Sequence, residues 1–217
     1  MKTRCEILVF SPFFSVIELL PERDVAPLDL VALFGRVAPL HVDLGCGDGS
    51  FLCELAQRHP DKDFLGIDRL VGRVAKACRK AAALENVRIL NVESSYAVGY
   101  LLPERSVETF YLLFPDPWPK RRHQRRRIVT PEFLESIHRA LVDNGLLRIA
   151  TDQLDYFHQI ERVAISKLDC FKQSSCSGPK IGSANDVDLP RSKFERRFTA
   201  VGAPIHRLLL RKVSPVR

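Results

Sequence analysis

Long apolar runs are missing from this chain. Although 46% of its residues are hydrophobic, none of its apolar stretches reaches the roughly 20 residues that a membrane-spanning helix needs. The opening MKTRCEILVFSPFFSVIELL has a basic tip and an apolar stretch. Glu6 and Glu18 interrupt it, Pro12 breaks it and no A-x-A site follows, so no secretory leader is expected. Paired cysteines are missing too. The six cysteines, at 5, 46, 53, 78, 170 and 176, form no CxxC and no cysteine–histidine cluster with zinc spacing. That excludes a zinc module and a disulfide scaffold, and it predicts reduced, mostly buried thiols in a cytoplasmic protein without a bound metal. No internal repeat appears. There is a single tryptophan, Trp118, and it stands beside the most basic stretch.

What is present is charge, and mostly of one sign. Charged residues make up 27% of the 217, the net charge is +7 and the pI is near 9.3. The length suits one sizeable α/β domain. The excess of cations favours an anionic partner, nucleic acid before a membrane surface.

The chain alternates strands and helices. His41 to Leu44 reads as a strand running into Gly45-Cys-Gly-Asp-Gly49 and then a helix from Ser50. Glycines let a backbone turn tightly and approach a ligand, and a helix start offers free N–H donors. Gly45, Gly47 and Gly49 are therefore candidate ligand-binding residues. The GxGxG pattern serves dinucleotides as well as S-adenosylmethionine. Asp63 to Asp68 is the next strand, and Asp68 follows the last turn glycine by 19 residues. A carboxylate there either accepts both ribose hydroxyls of an adenosine or caps the following helix. Helices are expected at Leu28–Val37, Leu70–Leu84 and Tyr96–Leu102, and strands at Asn86–Val92 and Val107–Phe114. Thr130 and Pro131 read as N-cap and first residue of a helix stopped by Asn144-Gly145. Leu146–Ala150 is a strand, Leu154–Leu168 a helix and His206–Val213 the last strand. Residues 174–191 read as a mobile loop, and 1–38 as an N-terminal extension of a single domain spanning 1–217. Asp43, Asp68, Glu93, Asp116 and Asp152 all fall at or just beyond strand ends, on the edge where open α/β sheets bind ligands.

The densest stretch is FPDPWPKRRHQRRR, residues 114–127. Pro115, Pro117 and Pro119 forbid a helix or central strand, so Asp116 is expected on a stiff loop at the end of a buried strand. Lys120, Arg121, Arg122, Arg125, Arg126 and Arg127 follow as a positive apron, with His123 among them as a phosphate or loop partner. Trp118 either stacks on a base or supports the loop. Cys46 reads as a small apolar filler.

Four segments together resemble the bacterial tRNA (guanine-N7-)-methyltransferases over about residues 40 to 213. They are VDLGCGDG (42–49), FLGID (64–68), FPDPWPKRRHQRRR (114–127), and ATD (150–152) with SKFE (192–195). The first two are shared by many methyltransferases; the third paired with the fourth is specific. The resemblance implies a Rossmann-like, seven-stranded, mostly parallel α/β sheet flanked by helices, the class I methyltransferase fold. It implies S-adenosyl-L-methionine as donor, and N7 of guanine 46 in the tRNA variable loop as acceptor. It places Asp43, Asp68, Glu93 and Asp116 in the donor pocket; Asp116, rigid between two prolines and able to meet the edge of the base, is also the catalytic candidate on chemical grounds. It sets Lys120, Asp152, Ser192, Lys193, Phe194 and Glu195 against tRNA or its target base. The family includes monomers and homodimers. This sequence departs from it in having aspartate at 43 and 68 where glutamate is usual, Glu93-Ser94 where aspartate-alanine is usual, Ser192 for threonine and Phe198 where glycine is frequent. Two other readings remain open at this point: a methyltransferase of another RNA or of protein, and a non-catalytic RNA-binding relative.

Overall fold

The computed structural model describes residues 8–9, 16–18, 26–176 and 189–213. Its strands are β1 (Leu8–Val9), β2 (Val16–Glu18), β3 (Leu40–Leu44), β4 (Asp63–Asp68), β5 (Val87–Asn91), β6 (Val107–Leu113), β7 (Leu141–Thr151), β8 (Phe171–Cys176) and β9 (His206–Lys212). They form one sheet in the order β1-β2-β5-β4-β3-β6-β7-β9-β8. From β2 through β7 the neighbours are parallel, and β9 runs antiparallel between β7 and β8. The seven-stranded, mostly parallel core expected from the resemblance is therefore present from residue 40 onward. The short β1 and β2 extend one edge of it. The N-terminal 40 residues held no pattern from which these strands could be read.

The helices are α1 (Leu30–Phe34), α2 (Ser50–Arg58), α3 (Val71–Ala81), α4 (Ser94–Tyr96), α5 (Pro131–Ala140), α6 (Leu154–Ile165) and α7 (Lys193–Ala200). Side chains alternate across a strand, and the sheet divides its core accordingly. Leu65 and Ile67 of β4 pack with α1, α5 and α6, while Phe64 packs with α2 and α3 on the other face. Leu189 joins that second cluster, and Arg196 of α7 lies 3.8 Å from Glu54 of α2. So α2, α3 and α7 cover one face, and α1, α5 and α6 the other.

Several boundaries differ from the sequence expectation. The helix expected at Leu28–Val37 is trimmed to α1, capped by Asp29 and ended by Gly35 in the left-handed region. Tyr96–Leu102 is α4 followed by a π-helical turn, Ala97–Leu101. Thr130 does cap α5, its hydroxyl accepting from Phe133 N–H, with Pro131 at the start. Asn144-Gly145 does not stop that helix. It ends at Ala140, because buried Leu141 already pairs with Val107. The register then shifts before Thr109 meets Leu146, with Asn144 at φ 62° inside the irregularity. Leu154–Leu168 ends at Ile165 as α6. The start of the expected loop at 174–191 is β8, and residues 177–188 lie outside the described residues. The motif at 192–195 opens α7, a helix that its dense charge had concealed.

Close packing fixes the glycine turn to the helical layer. Gly49 lies at φ +74°, and a Cβ there would stand 2.9 Å from both Cα and Cβ of Ala77 in α3. Gly49→Ala combines left-handed strain with that clash. We expect it to lower stability by on the order of 3 kcal/mol, read as a shift of the urea midpoint. An unchanged midpoint would contradict the contact.

Candidate active site

The carboxyl ends of the central strands hold the site. After β3 the chain turns at Gly45, Gly47 and Gly49, all with positive φ. Gly45 and Cys46 donate their N–H groups to the Ile67 carbonyl at 2.8 and 2.9 Å, so the turn lies against the end of β4. Asp68 locks it there: its Oδ2 accepts from Gly47 N–H at 3.0 Å and its Oδ1 from Leu70 N–H at 2.8 Å. Asp68 does not itself cap α3: the N-cap is Leu70, and Asp68 holds that residue's N–H from two positions before it. The carboxylate is buried beside the glycine turn.

Asp43 is buried one strand away. Burial, reinforced by the neighbouring Asp68 carboxylate, raises its pKa from 3.8 to about 7. Two carboxylates are thus buried side by side under this strand edge, one of them reluctant to ionise. Beside it Gly45 is exposed, and a Cβ there would meet nothing within 4 Å. Glu93 is exposed at the end of the neighbouring strand, where its Oε2 accepts from Tyr96 N–H at 2.9 Å as the cap of α4.

On the other side of β3, β6 ends at Leu113 and the proline loop begins. Phe114 and Trp118 are held at φ 54° and 42°, values that cost side-chain-bearing residues and mark backbone over-determined by its surroundings. Phe114 N–H bonds to the Ala150 carbonyl at 2.7 Å. Asp116 projects into solvent, and its nearest cation is Arg69, 3.9 Å away and directly after Asp68. Asp116 thus lies on the same edge as the glycine turn. Both partners of this pair are well exposed, so it is worth about 1 kcal/mol at most and yields readily to a substrate.

Residues Arg121–Arg126 form a 3-10 helix. Three residues per turn brings His123 and Arg126 into line. Both rest on Trp118, Arg126 at 5.0 Å over its ring and His123 edge-on at 5.9 Å. Trp118 therefore supports the loop. Lys120, Arg121, Arg122, Arg125 and Arg126 are exposed.

Arg127 corrects the expectation that six cations grip phosphate. Its side chain is 3% exposed. It donates to the Pro117 carbonyl at 2.8 Å, to Gln159 at 2.6 Å and to Asp155 at 2.5 Å, and lies 4.7 Å over the Tyr156 ring. It fastens the proline loop to α6 and is spent inside the fold. Nothing in its residue type distinguished it from its neighbours.

Asp152 follows β7 and accepts from the Gln153 side chain at 2.5 Å. Ser192 is buried as the N-cap of α7, its hydroxyl accepting from Glu195 N–H at 3.1 Å. Glu195 pairs with Arg207 of β9, which lies opposite Ala150. Lys193 and Phe194 are exposed. The rings of Phe194 and Phe198 stand 6.0 and 5.4 Å from Phe114. Thus the 192–195 motif, the β7 end and the proline loop meet at one place. Sequence reasoning missed Arg69, Arg207 and the Phe114–Phe198 contact. Adjacency to Asp68 was the one available signal for Arg69.

Comparison with known proteins shows the family of the chain. A family model described as "Putative methyltransferase" matches residues 37–208. The tRNA (guanine-N(7)-)-methyltransferase of Halorhodospira halophila is 39% identical over 193 residues, covering 88% of this chain and 81% of that one. The protein of the same name from Leifsonia xyli subsp. xyli is 40% identical over 181 residues, with 82% and 78% covered. That from Syntrophotalea carbinolica is 34% identical over 206 residues, with 94% and 85% covered. The chain belongs to the tRNA (guanine-N7-)-methyltransferase family.

Solved structures agree on the fold. The 16S rRNA methyltransferase KamB superposes with a TM-score of 0.62 at 17% identity, covering 89% of this chain and 96% of that one. The plantazolicin methyltransferase BamL, solved with SAH, gives 0.56 at 12% identity over 85% and 80%. Among the described residues, no cluster of three or more His, Cys, Asp or Glu could hold a metal ion. Nor is any helix among them long and apolar enough to cross a membrane.

Two outcomes follow for this methyltransferase fold. The native Asp43 keeps its proton to higher pH than the unfolded chain does. Its contribution to stability is therefore complete below about 4 and is lost as pH rises through about 7. Asp43→Asn, which cannot ionise, should match the parent in thermal unfolding only below about pH 4, gain on it steadily between about 4 and 7, and exceed it by roughly 5 °C or more at pH 8.5. A pH-independent difference would refute the raised pKa. Arg127→Ala leaves the Pro117 carbonyl and Gln159 without their partner. It should cost about 3 kcal/mol in urea unfolding, whereas Arg122→Ala should change stability by under about 0.5 kcal/mol.

Proposed function

We propose that this protein methylates N7 of guanine 46 in the variable loop of tRNA. Family membership supplies the S-adenosylmethionine donor and the guanine-N7 chemistry; to these we add the target position and the roles of individual side chains. The observation that best supports the reading is the 3.9 Å approach of Arg69 to Asp116. It brings the one carboxylate of the proline loop close to the residue that follows Asp68, on the strand edge that carries the glycine turn. The reaction belongs in the cytoplasm, where tRNA is found.

The pocket suits its donor. A floor of two buried carboxylates favours a ligand that brings positive charge, and the open side of Gly45 admits it closely. Asp43 faces the donor's cationic part, Asp68 and Glu93 its adenosine, and Gly45 and Gly47, whose N–H groups are already bonded within the fold, lend space for its close approach. S-adenosylmethionine, when bound, supplies a methyl group on a positively charged sulfur.

The acceptor nitrogen has an in-plane lone pair and no proton to lose, so no general base is required. The protein's task is alignment and charge complementarity, because the purine becomes cationic as the methyl arrives. Asp116, stiffened by Pro115 and Pro117, accepts hydrogen bonds from the N1–H and N2–H₂ edge of guanine and stabilises the growing charge. Asp152 and Glu195 border the same place from β7 and α7. Lys120, Arg121, Arg122, Arg125 and Arg126 hold phosphates, which position RNA without reading its sequence. Recognition then rests on tRNA shape and an exposed loop base.

Incubating the pure protein with labelled donor and unmodified tRNA should give 7-methylguanosine at one position, and replacing guanine 46 with adenine should abolish it. Methylation of the altered tRNA, or of no tRNA, would overturn the assignment. Asp116→Asn should leave tRNA affinity within a few-fold and lower turnover by roughly 10² or more, the scale of one lost positioned charge.

A further inference from the structure

The two helical faces differ in charge, and the sequence motifs account for neither. In the α2–α3–α7 layer, α3 has four cations, Arg73, Lys76, Arg79 and Lys80, and no carboxylate. Helix α2 has one charge of each sign, and α7 has three cations against Glu195, so the layer carries net +6. The opposite layer is acidic. Helices α5 and α6 each hold two carboxylates and one arginine, net −2 together. The four α3 cations are all exposed. Arg73, Lys76 and Lys80 fall at i, i+3 and i+7, which places them on one stripe. From Arg73 to Lys80 that stripe runs about 10 Å, the length of about three phosphates along one nucleic-acid strand.

This surface is continuous with the active site. Arg69, at the entrance to α3, approaches Asp116 at 3.9 Å. Arg73 lies 3.8 Å from Asp68. Lys80 pairs with Asp48 of the glycine turn at 2.8 Å, so the far end of the stripe also borders that turn. A polyanion gripped by the 121–126 arginines therefore has a cationic path across α3 and an acidic face behind it.

We propose that the α2–α3–α7 face is a second RNA-binding surface, holding the sugar–phosphate backbone of the substrate tRNA outside its target loop. The proposal rests on the tRNA reading above and adds the side on which the RNA body lies. Contacts to phosphate here supply affinity and orientation and no base recognition.

Lys76 and Arg79 test it, because neither forms an ion pair among the described residues. K76E/R79E should raise the Kd for unmodified tRNA at least tenfold at low salt. It should also reduce the log–log dependence of binding on salt by about two, near 0.9 per lost phosphate contact. R162E, on α6 of the opposite face, should change neither. S-adenosylmethionine affinity by calorimetry reports whether the fold is intact; if K76E/R79E loses it, K76Q/R79Q with a smaller shift in the same direction serves instead. An intact variant with the parent's Kd and slope would overturn the proposal, as would an equal loss in R162E. So would tRNA binding that survives while binding to phosphatidylserine vesicles disappears, which would give the face to a membrane. Methylation of tRNA by the parent enzyme is measured in the same series, so failure of the functional reading is seen separately.

Discussion

The site depends on one buried carboxylate. Asp68 ends β4, and its two oxygens tie Gly47 N–H of the glycine turn and Leu70 N–H at the head of α3. Its backbone carbonyl also accepts from the Asn91 side chain of β5 at 2.9 Å. Three consecutive βα junctions are thereby pinned at one point. A loop in a positive-φ conformation has little reason to hold one shape by itself, since glycine loses more conformational freedom on ordering than any other residue. A charge-assisted bond from inside the fold supplies that reason. The aspartate also explains why its neighbour matters. With Asp68 fixed, Arg69 emerges toward the proline loop, and the two halves of the site face each other.

Two fields of opposite sign then share a short distance. Inside, Asp43 and Asp68 are buried together, and Asp43 gives up its proton only near pH 7. Outside, the 121–126 segment and α3 are cationic. The arrangement separates two tasks that one field could not perform. An acidic floor repels RNA and attracts a positively charged donor; a basic rim does the reverse. Ordinary ion pairing would erase the contrast, and here it is incomplete. Arg73 stands 3.8 Å from Asp68 and Arg69 3.9 Å from Asp116, both loose contacts of exposed cations.

Much of this was legible in the chain. Alternation of strand and helix, the three turn glycines and the spacing to Asp68 pointed to the fold class and to the turn after β3, because each is a local requirement of the backbone. The proline loop and its placement at a strand end were legible for the same reason. Charge was harder to read. Arg122 and Arg127 look alike in sequence, yet one is exposed and the other is folded under the loop against Tyr156. That difference is decided by α6, which lies some thirty residues on, at Asp155 and Gln159. β8 and α7 escaped for another reason. Their serines and charges lack the apolar periodicity that marks an element, and both are held by tertiary partners, β9 and the Phe114 ring.

Phe198 shows how such a partner can reshape a shared design. The resemblance leads one to expect glycine there, yet the ring at 198 lies 5.4 Å from Phe114 and 6.4 Å from Phe194. Phe114 needs support: it holds φ 54° at the step from β6 into the loop, a conformation that costs on the order of 1–2 kcal/mol. Its N–H bond to Ala150 secures one side, and aromatic contacts of this kind add roughly 0.5–1.5 kcal/mol each. The helix that carries Lys193, Phe194 and Glu195 is therefore joined to the loop that carries Asp116, and the strained residue lies at the joint. With glycine at 198 the helix would keep its cap at Ser192 and its ion pair at Arg207, but it would lose the nearer of the two rings touching Phe114. In this chain the 192–195 motif and the proline loop are held as one body by the protein's own contacts, with the strained Phe114 at the joint.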